Sequence, residues 1–305
     1  MLEVLDPDAT RARLPAAVLL GALAQAMRAR RAGTLHAPER SVLPLAEGAS
    51  YLAMPAADAT LAICKLITVH PANPSRGLPT IRGQVLVTDA ASGASLALLD
   101  GPTVTARRTA GVSLLALRRF AAPRAVAIIG TGAQAIEHAR MLAETGLASE
   151  LHLAARRPDA GPALAESLRA EGLTINCHGH AGVLDALAAL GEGDAVICLT
   201  TATEPVLPDD LPDGVLAIGA GAFKPHMAEL PAALLARRDI VVDDLTGARH
   251  EAGDLLRAGI DWSRVDELAD WIDAPGRRPS RPGVAVKTVG QAAWDLAAAH
   301  VACAS

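Results

Sequence analysis

One segment near the middle of the chain constrains the fold more than any other. The continuous apolar run Ala125–Ile129 is followed at once by Gly130 and Gly132, and a helix-like sequence begins directly after them. An uninterrupted apolar strand is typical of a parallel sheet that is covered on both faces. A strand, a glycine turn and a helix in this order predict the first βαβ unit of a doubly wound nucleotide-binding domain.

Strand-like and helix-like segments alternate beyond this turn. The strand-like runs occupy residues 151–155, 195–199, 215–218 and 239–243, and the segments 160–171 and 247–258 have the pattern of helices. Alternation of this kind predicts a parallel sheet with helices on its faces. We therefore assign residues 116–284 to a Rossmann-type NAD(P)-binding domain of the α/β class.

The sequence before residue 116 has a different pattern. Apolar runs at 61–67, 83–88 and 95–100 are separated by glycine and proline, and a helix-like stretch follows over 102–120, with Thr103 or Thr105 as its cap. A connector at 280–283 leads to a final helix over 289–302. We expect residues 1–115 and 285–305 to form one α+β domain on an antiparallel or mixed sheet.

Composition and charge argue against several classes of function. The formal net charge is -5 and the pI is near 6.0, so the chain has no basic field for nucleic acid. The apolar run 14–27 is too short for a membrane span and follows acidic residues, so we expect no membrane segment, no secretory signal and a cytoplasmic location. The cysteines and histidines have no metal-ligand spacing, and no metal is expected.

The glycine turn is the predicted cofactor site. Gly130 permits a tight turn, and Gly132 lets the backbone approach a pyrophosphate, which the N-terminus of the following helix attracts. Ala135 replaces the third glycine of the usual fingerprint and still allows close helix packing. The alternative is an ordinary glycine-rich connection. The residues of the turn expected to line the cofactor are Gly130, Thr131, Gly132, Ala133 and Gln134.

Two arginines favour NADPH as the cofactor, with NADH as the alternative. An Asp or Glu at the end of the second nucleotide-domain strand would bind the ribose 2′-hydroxyl of NAD. This chain has Arg156 and Arg157 there instead. Their charges suit a 2′-phosphate, although solvated loop arginines would give the same pattern.

Few residues stand out as candidates for chemistry. Lys65 interrupts an apolar strand and faces opposite to Cys64 and Leu66, and for such a pattern a lysine on the solvated face of an antiparallel strand is the commoner arrangement. Arg108 lies early in a helix, where a guanidinium can bind a carboxylate through two hydrogen bonds. Arg40 carries little weight by itself.

Taken together, these segments resemble the ornithine cyclodeaminase and mu-crystallin family over nearly the whole chain. No single motif is decisive, but their order and separation are specific. The motifs that carry the resemblance are Met54-Pro55-Ala56, Cys64-Lys65, Leu98 to Pro102 with Arg107 to Ala110, Gly130 to Ala135, Ala220 to Pro225 with Glu229-Leu230, and Asp243 with Glu251 to Leu255.

The resemblance implies a division of labour between two domains. The N-terminal part and the last helix would bind the substrate and form a homodimer, and the central domain would bind NAD(P)H. Arg40, Lys65 and Arg108 would surround the substrate carboxylate, with Lys65 beside the reacting carbon and nitrogen. The residues that would line the cofactor are Thr109, the turn at Gly130, Arg156, Thr200 and Val289.

One departure from the family pattern bears on the reaction. Ornithine cyclodeaminases carry an Asp in the loop after the fourth nucleotide-domain strand, and this chain has Phe223 there. Phe cannot hold an ammonium or accept a proton, so cyclodeamination is disfavoured. The loop 221–225 and the segments 68–74 and 77–79 resemble reductases of 1-pyrroline-2-carboxylate and 1-piperideine-2-carboxylate, which form L-proline and L-pipecolate.

The expected activity is therefore the NAD(P)H-dependent reduction of a small cyclic imino acid. Phe223 would provide an apolar wall for the ring of that substrate. Three alternatives from the same family stay open at this point. They are an alanine-type amino-acid dehydrogenase, an ornithine cyclodeaminase and a noncatalytic NADPH-binding protein similar to mu-crystallin.

Overall fold

A computed structural model describes residues 2–304 of the chain. It divides into two compact units, Met1–Thr109 with Gln291–Ser305, and Ala110–Gly290. These boundaries differ by a few residues from the predicted 115/116 and 284/285. The first shift arises because one helix, Gly101–Phe120, runs through the boundary, and the second because a strand at Gly283–Lys287 belongs to the sheet of the second unit.

Fourteen strands and eleven α-helices are formed between residues 2 and 304. The strands are β1 (Glu3–Val4), β2 (Ser41–Pro44), β3 (Ser50–Ala57), β4 (Leu61–Val69), β5 (Ile81–Asp89), β6 (Ser95–Asp100), β7 (Ala125–Ile129), β8 (Glu150–Ala154), β9 (Asn176–Gly179), β10 (Ala195–Cys198), β11 (Leu216–Gly219), β12 (Arg238–Val242), β13 (Val265–Glu267) and β14 (Gly283–Lys287). The helices are α1 (Pro7–Ala12), α2 (Ala16–Arg31), α3 (Gly101–Phe120), α4 (Ala133–Thr145), α5 (Ala160–Ala170), α6 (Val183–Leu187), α7 (Ala232–Arg237), α8 (Leu245–Glu251), α9 (Gly253–Arg257), α10 (Leu268–Ile272) and α11 (Ala292–Cys303). Short 3-10 turns lie at Ala46–Gly48, Asn73–Arg76 and Trp262–Arg264.

The first unit is built on a six-stranded sheet in the order β1-β6-β5-β4-β3-β2. The pair β1 and β6 is parallel and the other pairs are antiparallel, so the sheet is mixed, which is one of the two arrangements expected. Along β4 the buried residues alternate with more exposed ones, as a sheet covered on one face requires. Helix α11 packs against α2 and against β3 and β4.

The second unit has an eight-stranded parallel sheet in the order β13-β12-β14-β11-β10-β7-β8-β9. Strand β7 lies between β10 and β8, and every one of its residues is buried. Chain order therefore reverses at β7 and β10, and a reversal of this kind creates the ligand crevice of doubly wound folds at the carboxyl ends of the strands. The predicted α/β class and the Rossmann-type domain are confirmed.

Several elements differ from the sequence-based expectation. Strand β14 was not predicted, since its short apolar run follows Pro282 and resembles a connector, and the last helix starts at Ala292 rather than at 289. The helix expected over 247–258 is two helices that meet at Ala252. The cap of α3 is Asp100, whose carboxylate accepts hydrogen bonds from the backbone and hydroxyl of Thr103.

None of the helices within residues 2–304 has the length and apolar character needed to cross a membrane.

Candidate active site

Lys65 lies on the covered face of the first sheet. Its partners across the ladder are Met54 on β3 and Val85 on β5, and both are buried apolar residues. Only 1% of Lys65 is exposed, so the solvated position that the strand pattern favours is wrong. An ammonium group in this position needs a counter-charge, because a charge buried without a partner is costly.

The counter-charge comes from Asp295 on α11. The Lys65 Nζ atom lies 2.7 Å from Asp295 Oδ2, and the Arg108 Nε atom donates to Asp295 Oδ1 over 3.2 Å. Asp295 is fully buried and Arg108 nearly so. The sequence analysis missed Asp295, although a signal existed: it is the one acidic residue of helix α11, whose other residues are apolar apart from His300. A charge in such a helix indicates a buried pair.

The electrostatic surroundings of Lys65 favour an exchangeable proton. Burial lowers the pKa of Lys65 to about 8; Asp295 opposes this shift, and the positive charges of Arg108 and Arg40 add to it. An ammonium group that titrates near neutral pH can give up and regain a proton during turnover. Arg40 is half-buried. The structure therefore brings Arg40, Lys65 and Arg108 into one electrostatic cluster of the first unit.

Gln291 adds a polar group to the same face of α11. It is the N-cap residue of the helix and lies one helical turn before Asp295. Gln291 is 7% exposed, and neither Nε2 nor Oε1 of its side chain has a hydrogen-bond partner within the described residues. A buried amide costs free energy when it makes no hydrogen bond, so the Gln291 side chain is suited to a polar ligand.

The glycine turn of the second unit has the properties that a dinucleotide needs. Gly130 has a φ of 126°, and a Cβ atom there would lie 2.6 Å from the Leu199 carbonyl oxygen, so only glycine fits. A Cβ atom on Gly132 would meet no atom within 4 Å. Gly132 is the N-cap residue of α4, and no described side chain caps that helix. Open space at an uncapped helix N-terminus fits a pyrophosphate.

The other residues of the turn and the two arginines are accessible. Thr131 and Gln134 are partly exposed and Ala133 is exposed. Arg156 and Arg157 follow β8 and are exposed, and Arg157 Nε lies 3.7 Å from Asp159 Oδ1. An ion pair this exposed holds a side chain only weakly.

Thr200, Phe223 and Val289 lie after three different strands of the parallel sheet. Thr200 follows β10, and its backbone and hydroxyl both donate to Glu229. Phe223 is half-buried in the loop after β11. The sequence analysis counted this strand as the fourth of the unit, but it is the fifth, because β9 was not predicted. The Val289 N–H donates to Asp243 over 2.9 Å. Thr109 is buried in α3 beside Arg108 and is assigned to the first unit.

The chain is similar to known proteins over almost its full length. The sequence profile of the ornithine cyclodeaminase/mu-crystallin family matches residues 8–303. The Delta(1)-pyrroline-2-carboxylate/Delta(1)-piperideine-2-carboxylate reductase of Azospirillum brasilense is 42% identical over 99% of this chain and 95% of its own. The Delta(1)-pyrroline-2-carboxylate reductase 1 of Burkholderia multivorans is 41% identical over 98% of this chain and 94% of its own.

A solved structure supports the fold independently of these sequences. The Delta(1)-pyrroline-2-carboxylate reductase of Thermococcus litoralis, determined in complex with NADH and L-proline, has a TM-score of 0.88 to this chain. The similarity covers 99% of this chain and 96% of that one, at 24% sequence identity. Agreement over nearly all of both chains shows that the two proteins share both parts of the fold.

Proposed function

Because this chain belongs to the ornithine cyclodeaminase/mu-crystallin family, we propose that it is an oxidoreductase that reduces cyclic ketimine carboxylates with NAD(P)H. Its substrates are 1-pyrroline-2-carboxylate and 1-piperideine-2-carboxylate, and its products are L-proline and L-pipecolate. The names of the curated relatives that match nearly all of the chain support this choice of substrates.

The observation that carries the proposal is the buried cluster of Lys65, Asp295 and Arg108. A protonated imine accepts hydride far better than a neutral imine, so the reaction needs a proton donor held near the nitrogen. Lys65 is shielded from water, and its ammonium group lies 2.7 Å from a carboxylate oxygen. Its pKa of about 8 leaves it protonated at neutral pH and able to release the proton.

The residues of the first unit divide the remaining tasks. Arg108 and Arg40 bind the substrate carboxylate, and Arg108 is held in place by Asp295. Lys65 holds or supplies the proton at the imine nitrogen, directly or through a water. NAD(P)H, when bound, supplies the hydride that the C=N carbon takes up. One hydride on carbon and one proton on nitrogen convert the imine into a secondary amine.

The residues of the second unit fit a dinucleotide. The open space beside Gly132 and the uncapped N-terminus of α4 receive the pyrophosphate. The absence of an acidic residue at the end of β8 and the presence of Arg156 and Arg157 favour NADPH over NADH. Thr200 and Val289 lie after other strands of the same sheet, on the side where such folds bind cofactors.

Phe223 distinguishes this proposal from its closest alternative. A cyclodeaminase needs a carboxylate for the substrate amine, whereas Phe223 offers the ring methylenes an apolar surface. An alanine-type dehydrogenase would accept free ammonia and an open-chain keto acid, and a noncatalytic binding protein would bind NADPH without turnover. These two alternatives are therefore separated from a ketimine reductase by assay.

We also propose that the protein is a homodimer. On the face of the first sheet opposite Lys65, one row across four strands consists of the apolar residues Pro55, Cys64, Leu86 and Leu98. Leu66 lies on the same face and is 37% exposed. Exposed apolar surface of this kind is typical of protein interfaces. Leu66→Glu should therefore reduce the mass measured by light scattering. The cytoplasmic location stays a prediction.

The first test follows reduced nicotinamide absorbance. Purified protein is mixed with NADPH or NADH and with either 1-pyrroline-2-carboxylate or 1-piperideine-2-carboxylate. Rapid loss of absorbance is expected, faster with NADPH, and the rates rank the two ring sizes. If no pair reacts, the ketimine reductase proposal fails. Pyruvate with ammonia then tests for an alanine-type dehydrogenase, and NADPH binding without turnover identifies a binding protein.

A further inference from the structure

The Glu229 carboxylate connects two loops of the second unit. Its Oε1 atom accepts hydrogen bonds from the backbone N–H and the hydroxyl of Thr200, over 2.6 and 2.9 Å. Its Oε2 atom accepts from the backbone N–H groups of Gly221 and Ala222, over 2.8 and 3.0 Å. Glu229 is fully buried. Each oxygen therefore serves one loop, and one planar group sets the distance between the two.

The two loops leave neighbouring strands at the same edge of the sheet. Strands β10 and β11 are parallel, and Cys198 is paired with Gly219 at their carboxyl ends. A Cβ atom at Gly221 would lie 2.2 Å from both the nitrogen and the carbonyl oxygen of Thr200. The loops are thus packed against each other without room for a methyl group. Under the proposed function, the first loop carries a cofactor residue and the second carries the Phe223 wall.

A second layer of charge holds the backbone that carries the Glu229 side chain. The Asp254 Oδ1 atom accepts from the backbone N–H groups of Glu229 and Leu230. Lys287 Nζ lies 2.9 Å from Asp254 Oδ2 and donates to the Ala222 carbonyl oxygen over 2.6 Å. All of these charged side chains are buried. The Lys287 ammonium group therefore also holds the second loop, through the Ala222 carbonyl oxygen. The backbone amides offset the negative charge of the two carboxylates.

We propose that Glu229 is a positioning residue that couples the cofactor loop to the substrate loop, so that NADPH and the imino acid strengthen each other's binding. Ordering of Thr200 by one ligand fixes the carboxylate, and the carboxylate then fixes Gly221 and Ala222 next to Phe223. The second ligand meets a loop that is already ordered, and its binding costs less conformational entropy. The inference rests on the proposed roles of Thr200 and Phe223.

The test measures binding and not turnover. The Kd of NADPH is determined from its fluorescence with and without pyrrole-2-carboxylate, a planar ring carboxylate that has no reducible imine. The ratio of the two values is the coupling factor, which we expect to be about 5 to 100 in the unaltered protein. In Glu229→Gln, an NH₂ group replaces one of the accepting oxygens and faces the N–H groups of one loop, so the hydrogen bonds to that loop are lost. The coupling factor should therefore fall towards one.

A matched control separates coupling from stability. Asp194 is another buried carboxylate of this sheet, and it accepts from the backbone of Arg124, Ala125 and Gly191, next to the amino ends of β7 and β10. Asp194→Asn should lower the melting temperature and leave the coupling factor unchanged. If Glu229→Gln does not fold, Thr200→Val replaces it, since that variant keeps the backbone hydrogen bond and loses only the hydroxyl, and its factor should be intermediate.

Three outcomes would overturn the inference. These are an unaltered protein with a factor of one, a Glu229→Gln variant with the normal factor, and equal losses in Glu229→Gln and Asp194→Asn. Failure of the proposed function is recognised separately, because it is the absence of imine-dependent NADPH oxidation. A protein that reduces the imine but shows no coupling would retain the function and lose only this role of Glu229.

Discussion

The two buried lysines of this chain lie in opposite electrostatic settings. Lys65, in the first unit, pairs with Asp295, and two arginines add positive charge to its surroundings. Lys287, in the second unit, pairs with Asp254 and lies 3.9 Å from Glu229, so negative charge is in excess there. The first cluster suits a ligand that brings a carboxylate. In the second cluster, the charge of Lys287 is already balanced by carboxylates of the protein itself.

The two clusters also differ in how their buried polar groups are hydrogen-bonded within the protein. The carboxylates near Lys287 accept from six donors of the surrounding loops, and five of these are backbone N–H groups. Near Asp295, the side-chain amide of Gln291 has no partner within the described residues. Buried carboxylates that accept from the backbone of several loops hold structure, whereas a buried amide such as that of Gln291 is suited to a ligand. Loss of Lys65 should therefore affect chemistry, and loss of Lys287 should affect folding.

The largest effect is expected for Lys65→Ala. Removal of the proton donor should lower kcat for imine reduction by about 10³-fold, within the range of general acid catalysis. The Kd of NADPH, measured by fluorescence, should change by less than about threefold, because binding and chemistry are separate terms. Lys224→Ala, a change at the third lysine, is the control and should retain the normal Kd of NADPH. Near-normal turnover by Lys65→Ala would show that the role of Lys65 is wrongly assigned.

Lys287→Met tests the other side of the comparison. It leaves Glu229 and Asp254 buried without a cation, and breaking a buried pair in this way costs about 3 kcal/mol or more. Urea unfolding should show this loss, whereas Lys65→Met should cost less, since Asp295 keeps its hydrogen bond from Arg108. If Lys287→Met were as stable as the unaltered protein, the structural role assigned to the Lys287 cluster would be wrong.

Asp295→Asn should shift the pH dependence of the reaction. The Asp295 charge opposes the fall in the pKa of Lys65, so its removal should lower that pKa further below about 8. If Lys65 acts in its protonated form, the rate falls as the pH rises through this pKa. The falling limb should move to lower pH by about one to two units, and the rate near pH 8 should fall about 5- to 50-fold. If the falling limb does not move in Asp295→Asn, the fall of the rate at high pH is caused by a group other than Lys65.

The sequence predicts those parts of the fold that depend on local pattern. The apolar run of β7, the glycine turn and the start of α4 were predicted because they are contiguous. Strand β14 was missed, because its position between β11 and β12 is set by pairing with strands far away in the chain. Strand alternation placed Lys65 opposite to its neighbours, but it could not decide which face is covered.

The candidate site is only partly predictable for the same reason. Lys65, Arg40 and Arg108 were identified by resemblance, and their roles stay predictions. Asp295 is 230 positions away from Lys65 along the chain, so no spacing rule joins the two. Glu229 was noted only as part of a motif, since its hydrogen bonds depend on the packing of loops that follow β10 and β11. Charged residues inside apolar segments are the signal that would have found both.

His138 extends the comparison to a buried group that has no counter-ion among the residues that the structure describes. Its Nδ1 atom lies 2.8 Å from the Gln134 carbonyl oxygen and its Nε2 atom lies 3.0 Å from the Ser113 hydroxyl, so the neutral ring is satisfied. Burial lowers the pKa of His138 from 6.5 to about 4. The unfolded chain therefore binds a proton at a pH where the folded chain does not. Stability is full above about pH 6.5 and is lost as the pH falls towards 4.

The expected loss from His138 is about 2 kcal/mol between pH 7 and pH 5, because each unit within the window is worth about 1.4 kcal/mol. Urea unfolding at the two pH values measures it, and His138→Asn, which keeps a donor for the Gln134 carbonyl, is the comparison. The variant should be less stable at pH 7 and should lose less on acidification, because its remaining loss comes from other groups such as His152, whose pKa is also lowered by burial. If the unaltered protein and His138→Asn lose the same unfolding free energy between pH 7 and pH 5, burial of the neutral His138 ring does not contribute to the acid sensitivity. His138 would then not differ in this respect from the buried charged groups.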